Sequence, residues 1–100
     1  MAKGYWVANV DVTDPEGYKA YVEANAQAFR KFGGRFLVRG GRSQSVEGGL
    51  RSRLVVIEFP DFATALACYR SPEYERARQL RLGASQFDLV VVEGYDGAQP

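Results

Sequence analysis

The sequence contains no histidine, and Cys68 is its only cysteine. Without histidine the chain lacks the commonest general base and the commonest metal ligand. This excludes Ser-His-Asp and Cys-His catalytic sites and haem ligation by a proximal histidine. A single cysteine excludes an intrachain disulfide and a Cys-rich zinc site, and its apolar neighbours predict a small buried side chain. We therefore expect neither a metal nor a cofactor.

The chain also lacks an excess of charge and long apolar runs. Lysine and arginine number 13 against 12 aspartates and glutamates, so the formal net charge is +1. Such a balance gives no overall field that would favour nucleic acid or an anionic membrane. No apolar run is long enough to span a bilayer, and no hydrophobic core of a signal peptide is recognisable. We expect a cytoplasmic protein without a nucleic-acid or membrane partner.

What the chain does have is the composition of one small globular domain. Its length is 100 residues, 46% of them hydrophobic and 25% charged. Domains are usually about 100–150 residues long. A single domain over residues 1–100 is therefore expected, with frayed tails at residues 1–4 and 96–100.

Alternating and helical patterns predict four strands and two helical regions, the second of them broken in two. Strands are predicted over residues 5–12, 35–39, 53–59 and 87–95. Helices are predicted after Asp14-Pro15, after Asp61 and after Ser71-Pro72, which are capping residues or a first-turn proline. Residues 40–52 form either a long loop or an extended hairpin arm. The order βαββαβ predicts an α+β, ferredoxin-like sandwich with four antiparallel strands and helices on one face.

The sheet face that the helices leave uncovered is also apolar. Leu54 and Val56 share one side of the third strand, and Val90 and Val92 share one side of the fourth. A solvated face would carry alternating polar residues, and monomers avoid large apolar patches. A second copy of the chain, related by a two-fold axis, is the expected cover.

Short motifs spread along the chain resemble a known family. They are D-P-E-x-Y at 14–18, G-G-R-F-L-x-R-G-G at 33–41, E-G at 47–48, I-E-F-P at 57–60, S-P-E-Y at 71–74 and V-E-G at 92–94. Together they resemble the domain-of-unknown-function 1330 family. The resemblance implies a ferredoxin-like protomer of the dimeric α/β-barrel superfamily, in which two sheets pack face to face. It implies no established activity, since that superfamily includes cofactor-free monooxygenases, isomerases and haem-degrading enzymes.

Charged residues inside the strands give the first candidate site. If alternation is regular, Arg39 and Glu58 share a face that Asn9 and Glu93 join near one end of the sheet. In a functional interpretation, Arg39 anchors a ligand carboxylate or enolate and Glu58 acts as acid or base, with Asn9 and Glu93 as ligand contacts. In a structural interpretation, the same residues form a salt-bridged patch at the dimer interface.

A second candidate cluster surrounds the start of the last helix. Ser71 and Tyr74 lie there, and Arg81 follows about two turns later. A ligand could contact all three, because the N-terminus of a helix attracts anions. Helix capping by Ser71 and a core position for Tyr74 explain the pattern equally well.

Two functional hypotheses follow from the sequence. The first is a homodimer that binds a small organic molecule, such as a carboxylate or an enolisable compound, and acts as a cofactor-free enzyme. The second is a non-catalytic homodimerisation module in which the strand charges are purely structural.

Overall fold

The computed structural model of the protein describes residues 2–100 and has an α+β fold. Seven elements follow one another along the chain: β1 (Gly4–Val12), α1 (Pro15–Phe32), β2 (Arg35–Arg39), β3 (Arg53–Phe59), α2 (Phe62–Tyr69), α3 (Pro72–Arg81) and β4 (Ser85–Glu93). The four strands form one antiparallel sheet in the order β2-β3-β1-β4. This is the predicted ferredoxin-like arrangement, and the sheet is open.

Two helices begin at capping residues that were predicted from the sequence. Asp61 Oδ1 accepts a hydrogen bond from the Thr64 amide at 2.7 Å and so caps α2. Ser71 Oγ accepts one from the Tyr74 amide at 3.1 Å and caps α3. Side chains of this kind satisfy amides that the first helical turn leaves free. Helix α1 starts differently, since Asp14 occupies the cap position without a side-chain hydrogen bond.

The core lies between the helices and one face of the sheet. Trp6 is at its centre, 2% exposed, and donates from Nε1 to the carbonyl oxygen of Ala65 at 2.8 Å. Its ring meets those of Phe29 and Tyr74 edge to face, at centroid distances of 5.2 and 4.8 Å. Such aromatic contacts add to the free energy gained by burial and fix how the helices sit on the sheet.

The chain ends differ slightly from the sequence-based boundaries. Strand β4 begins at Ser85, which pairs with Val12, and ends at Glu93, so Tyr95 lies outside the strand. Gly4 belongs to β1, although it was expected within the frayed N-terminal tail; Met1 of that tail lies outside the described residues. Among residues 2–100, no helix is both long and apolar enough to cross a membrane.

Candidate functional site

A β-bulge in β2 decides where Arg39 lies. Arg35 pairs with Glu58 on β3, but Leu37 has no partner, and Arg39 pairs with Val55. The extra residue reverses the alternation of side chains after it. Arg39 therefore lies on the helix-covered face with Val55, whereas Glu58 lies on the other face. The expectation that Arg39 and Glu58 share a face is wrong for this reason.

The other two members of the predicted strand cluster are also separated. Asn9 does lie on the same face as Glu58, but Glu58 pairs with Tyr5, four residues away along β1. At about 3.3 Å per residue this is roughly 13 Å. Glu93 pairs with Gly4, which has the parity of the helix-covered face. The structure therefore does not bring Arg39, Glu58, Asn9 and Glu93 together.

Asn9 instead holds the end of the irregular segment 40–52 on the sheet. Its Oδ1 accepts a hydrogen bond from the Arg51 amide at 2.7 Å, and its Nδ2 donates to the Arg51 carbonyl at 3.2 Å. The Arg51 guanidinium forms ion pairs with Asp11 at 3.1 Å and Asp88 at 2.8 Å. Ser52 donates from its amide to Asp11 Oδ1 at 3.0 Å. This polar network fastens the segment to β1 and β4 on the uncovered face.

The second predicted cluster is part of the core. Ser71 is buried as the cap of α3, and the Tyr74 hydroxyl lies 2.8 Å from that of Tyr21. Arg81 is 7% exposed; its Nε donates to the Tyr74 hydroxyl at 3.4 Å, and its guanidinium lies 3.8 Å from the Phe87 ring centroid. Burial raises the pKa of Tyr21 well above its usual value. These contacts join α1, α3 and β4, and they leave Ser71 and Tyr74 closed to a ligand unless the core opens.

A cavity lies between α1 and the sheet, and Arg39 is one of the residues that line it. Its volume is about 20 Å³, which is room for about one water molecule. Six aromatic side chains form most of its wall: Trp6, Tyr18, Tyr21, Phe29, Phe36 and Phe87. Asn25, Arg39 and Arg53 supply its strongly polar side chains. Arg39 is the only predicted site residue among the residues that line this cavity.

Two polar atoms at the cavity have no hydrogen-bond partner within residues 2–100. They are Oδ1 of Asn25, a residue that is 5% exposed, and Nε of Arg53. A buried polar atom without a partner costs about 1–3 kcal/mol of stability. Buried polar atoms that stay unpaired need an explanation, and a water molecule or a ligand group is the usual one.

Two guanidinium groups stand at the cavity. That of Arg39 lies 4.0 Å from the Phe36 ring centroid, and that of Arg53 lies 5.8 Å from the Tyr18 ring centroid. Neither forms an ion pair with another described residue. Gly40, with φ of 67°, leaves room for Arg53, because a Cβ there would overlap the guanidinium. Two cations that lack acidic partners make this region suited to an anion.

The cavity lining contains no carboxylate from the described residues, so it has no acidic side chain to serve as a base. Glu58, the predicted acid or base, lies on the other face, where its Oε2 accepts a hydrogen bond from the Tyr5 hydroxyl at 3.2 Å. No group of three or more His, Cys, Asp or Glu in residues 2–100 is placed to hold a metal ion. Cys68 is buried, and this raises the pKa of its thiol to about 12. The cavity thus combines two guanidinium groups with an apolar wall and has no acidic side chain among the described residues.

The sequence-based prediction did not include Asn25 or Arg53 as site residues, although the sequence pattern around each of them is informative. Asn25 is seven residues after Tyr18 and four after Tyr21, within the apolar stripe of α1. A polar residue in a buried stripe is costly unless it has a role. Arg53 has the same strand parity as Val55, so it faces the helices.

Comparison with known proteins identifies a family and a fold. The family described as "Domain of unknown function (DUF1330)" matches residues 3–95 of the chain. Among curated proteins, none matches it significantly.

Several solved structures share the fold at low sequence identity. A protein of unknown function from Rhodopseudomonas palustris is 18% identical, with a TM-score of 0.74 over 99% of this chain and 85% of that one. SnoaB, a cofactor-independent oxygenase from Streptomyces nogalater, is 12% identical, with a TM-score of 0.63 over 100% and 97%. A protein from Nitrosomonas europaea, provisionally named an antibiotic biosynthesis monooxygenase, is 19% identical, with a TM-score of 0.57 over 99% and 97%. These similarities support the fold alone.

Proposed function

Because the chain belongs to the DUF1330 family, whose function is unknown, we propose from its geometry that it binds a small organic anion in the cavity between α1 and the sheet. The observation that carries the proposal is the unpaired Asn25 Oδ1 and Arg53 Nε inside an aromatic wall. Apolar cavities with a few convergent polar groups are the usual form of a small-molecule site.

The ligand enters past β2, the weakest wall of the cavity. This strand is five residues long, lies at the edge of the sheet, and is exposed except at Phe36. Arg39 has no ion pair among the described residues, and leaving the face of the Phe36 ring costs its side chain about 0.5–1 kcal/mol, so it can move outward. The cavity then enlarges from the volume of one water molecule to that of a small organic ring, and both guanidinium groups meet the anion.

The proposal is tested by titrating benzoate into ¹⁵N-labelled protein and following amide chemical shifts by NMR. Benzoate is expected to shift the amides of Asn25 and Phe36, and Arg39→Ala is expected to weaken its binding about tenfold through loss of a charge-assisted hydrogen bond. Arg35→Ala is the matched control, since Arg35 lies on the same strand and carries the same charge but faces the other side. If both variants weaken binding equally, the effect comes from general surface charge, and the proposal is overturned.

A cofactor-free enzyme is the second candidate function. It is favoured by the fold shared with SnoaB, a cofactor-independent oxygenase. In such a reaction Arg39 stabilises the negative charge of an enolate or phenolate intermediate. The hydroxyls of Tyr18 and Tyr21, both in the cavity wall, are then the side-chain groups there that can donate a proton. Glu58 acts as acid or base only toward a ligand on the uncovered face.

We further propose that the protein is a homodimer in which two uncovered faces pack together. These faces carry Val7, Leu54, Val56, Val90 and Val92, and Val90 is 55% exposed. Strands of five to nine residues in a four-stranded sheet make a face of several hundred Å². This is of the same order as the roughly 800 Å² that each partner buries in a standard interface. If no ligand binds, the protein is the non-catalytic dimerisation module that the sequence also allowed. The cytoplasmic location stays a prediction from the sequence.

A further inference from the structure

The irregular segment 40–52 projects from the domain with little to hold it beyond its two ends. Residues 41–50 are all exposed, and no hydrogen bond joins them to the rest of the described chain. The two apolar side chains of the segment, Val46 and Leu50, are 83% and 68% exposed. The radius of gyration of the protein is 14.0 Å, against about 13 Å for a compact domain of this length. Ordering such a segment costs conformational entropy that its own contacts do not offset.

The base of the irregular segment fixes the side of the sheet on which it projects. Asn9 anchors Arg51 on the uncovered face through hydrogen bonds to its amide and its carbonyl group. Leu50 lines a groove together with Leu54 and Val90, which both lie on that face. The segment therefore stands beside any second copy of the chain that packs on the uncovered face.

A second groove continues the uncovered face around β4, which is the outermost strand on that side of the sheet. Val90 belongs to the wall of both grooves, so the apolar surface is continuous from one to the other. The second groove has a volume of about 460 Å³, and we call it the edge groove. Its other lining residues are Leu66, Tyr69, Arg70, Leu89 and Val91. Exposed apolar surface of this kind is typical of an interaction site.

The tip of the irregular segment is complementary to the edge groove in polarity and in charge. Val46 and Glu47 are adjacent at the tip, so the segment offers an apolar and an acidic side chain together. The edge groove offers apolar side chains together with the basic Arg70. Neither Glu47 nor Arg70 forms an ion pair with another described residue. Opposite charges placed in this way fix the register of two surfaces.

The irregular segment is long enough to reach the edge groove of a second copy. Val46 is six residues from each end of the segment, which at about 3.3 Å per extended residue gives a reach of roughly 20 Å. Four strands about 4.8 Å apart span roughly 14 Å between the outermost two. A segment anchored on one sheet can therefore cross the facing sheet to its edge strand.

We propose that the irregular segment of each subunit clasps a second copy of the chain: Val46 inserts into the partner's edge groove, and Glu47 pairs with the partner's Arg70. Under a two-fold axis this contact occurs twice. The inference rests on the proposed homodimer and identifies the residues that lock it. The clasp adds two apolar contacts and two ion pairs to the packing of one sheet on the other.

Charge reversal tests the pairing of Glu47 with the partner's Arg70, since both side chains are exposed in the single chain. Glu47→Arg and Arg70→Glu are each expected to weaken the dimer about tenfold in analytical ultracentrifugation, because like charges then meet at both contacts. The double variant restores opposite charges, and its dissociation constant is expected to lie within about threefold of that of the unmodified protein. Glu23→Arg is the matched control: Glu23 is exposed on α1, and the same change of charge there is expected to leave the dissociation constant within about threefold.

A dimer mixed from ¹³C-labelled and unlabelled subunits tests the insertion of Val46. Isotope-filtered nuclear Overhauser effects are expected between the Val46 methyl groups of one subunit and the partner's Leu66 and the partner's Tyr69. The filter removes contacts within one subunit, so these cross-peaks report only on the second copy.

The outcomes separate the clasp from the dimer on which it rests. If the protein is a dimer and the double variant is no tighter than the single variants, the ion pair is overturned and the dimer stands. If the mixed dimer gives no cross-peaks from Val46 to the partner, the insertion is overturned and the dimer again stands. If the unmodified protein is a monomer at every concentration measured, the dimer and the clasp both fail.

Discussion

A single amide in the apolar stripe of α1 has a cost to stability that the proposed ligand binding would explain. Asn25 is 5% exposed, and its Oδ1 has no partner among the described residues. Folding alone would favour an apolar residue of similar size at this position. The polar side chain is explained if its acceptor is used by a ligand.

Replacement of Asn25 by leucine should therefore stabilise the protein without ligand. We expect Asn25→Leu to raise the free energy of unfolding by about 1 kcal/mol, because it removes an unpaired acceptor and fills part of the cavity. Urea denaturation measures this change. Gln27→Leu, on the exposed side of α1, should change the free energy of unfolding by less than about 0.5 kcal/mol. A clear destabilisation by Asn25→Leu would mean that the amide makes contacts the fold needs.

At the scale of elements, the strand β2 and the segment that follows it decide what faces the cavity. The extra residue Leu37 moves Arg39 from the uncovered face to the helix-covered one. The sequence R-F-L-V-R has three apolar residues in a row and neither glycine nor proline, so nothing in it marks where a bulge falls. The network around Asp11, Arg51 and Ser52 then fastens the end of the irregular segment, just before Arg53 enters β3.

Acid should loosen this attachment. The backbone hydrogen bond from Ser52 is the main cause that lowers the pKa of Asp11 below 3.8, and Arg51 adds to it. Because the pKa is lower in the folded state than in the unfolded one, the stabilisation is fully present above the unfolded value of 3.8. This stabilisation is lost as the pH falls through the lower pKa of Asp11 in the folded state.

The amide chemical shift of Ser52 measured by NMR across that pH range should report the change, with a midpoint below 3.8. In Asp11→Asn the transition is expected to vanish, because no proton is taken up at that position. A midpoint at or above 3.8 would show that Asp11 is not held by this network.

The sequence made most of the fold predictable and little of the site, and the reason is physical. Capping by Asp61 and Ser71 is local, so the neighbouring residues reveal it. The convergence of Arg39 with Asn25 depends on a bulge and on packing between α1 and the sheet, which are relations between distant residues. Glu58 was placed with Arg39 only because regular alternation was assumed.

For the whole molecule, the uncovered face of the sheet is the feature to account for. Val90 and Val92 are 55% and 43% exposed, and an open groove of about 480 Å³ runs beside Val90 and Leu54. Contiguous apolar surface of this kind marks an interaction site more often than a solvated face. The proposed dimerisation through this face would leave the cavity on the helix-covered face of each subunit outside the interface.

Light scattering coupled to gel filtration should give the mass of a dimer. The variant Val90→Glu is expected to shift the protein to a monomer, because the interface would bury an unpaired carboxylate from each subunit. Leu80→Glu is the control, since Leu80 is exposed on α3, away from the sheet face. A monomeric mass for the unmodified protein would contradict the proposed dimer while leaving the cavity proposal intact.

The most direct test of the cavity as the binding site is the measurement of intermolecular nuclear Overhauser effects between benzoate and the protein. The account predicts cross-peaks from the benzoate ring protons to Phe36 and Ile57, which line the cavity. It predicts none to Val56 and Val90, which lie on the uncovered face. Cross-peaks confined to Val56 and Val90, or no cross-peaks at saturating benzoate, would contradict it.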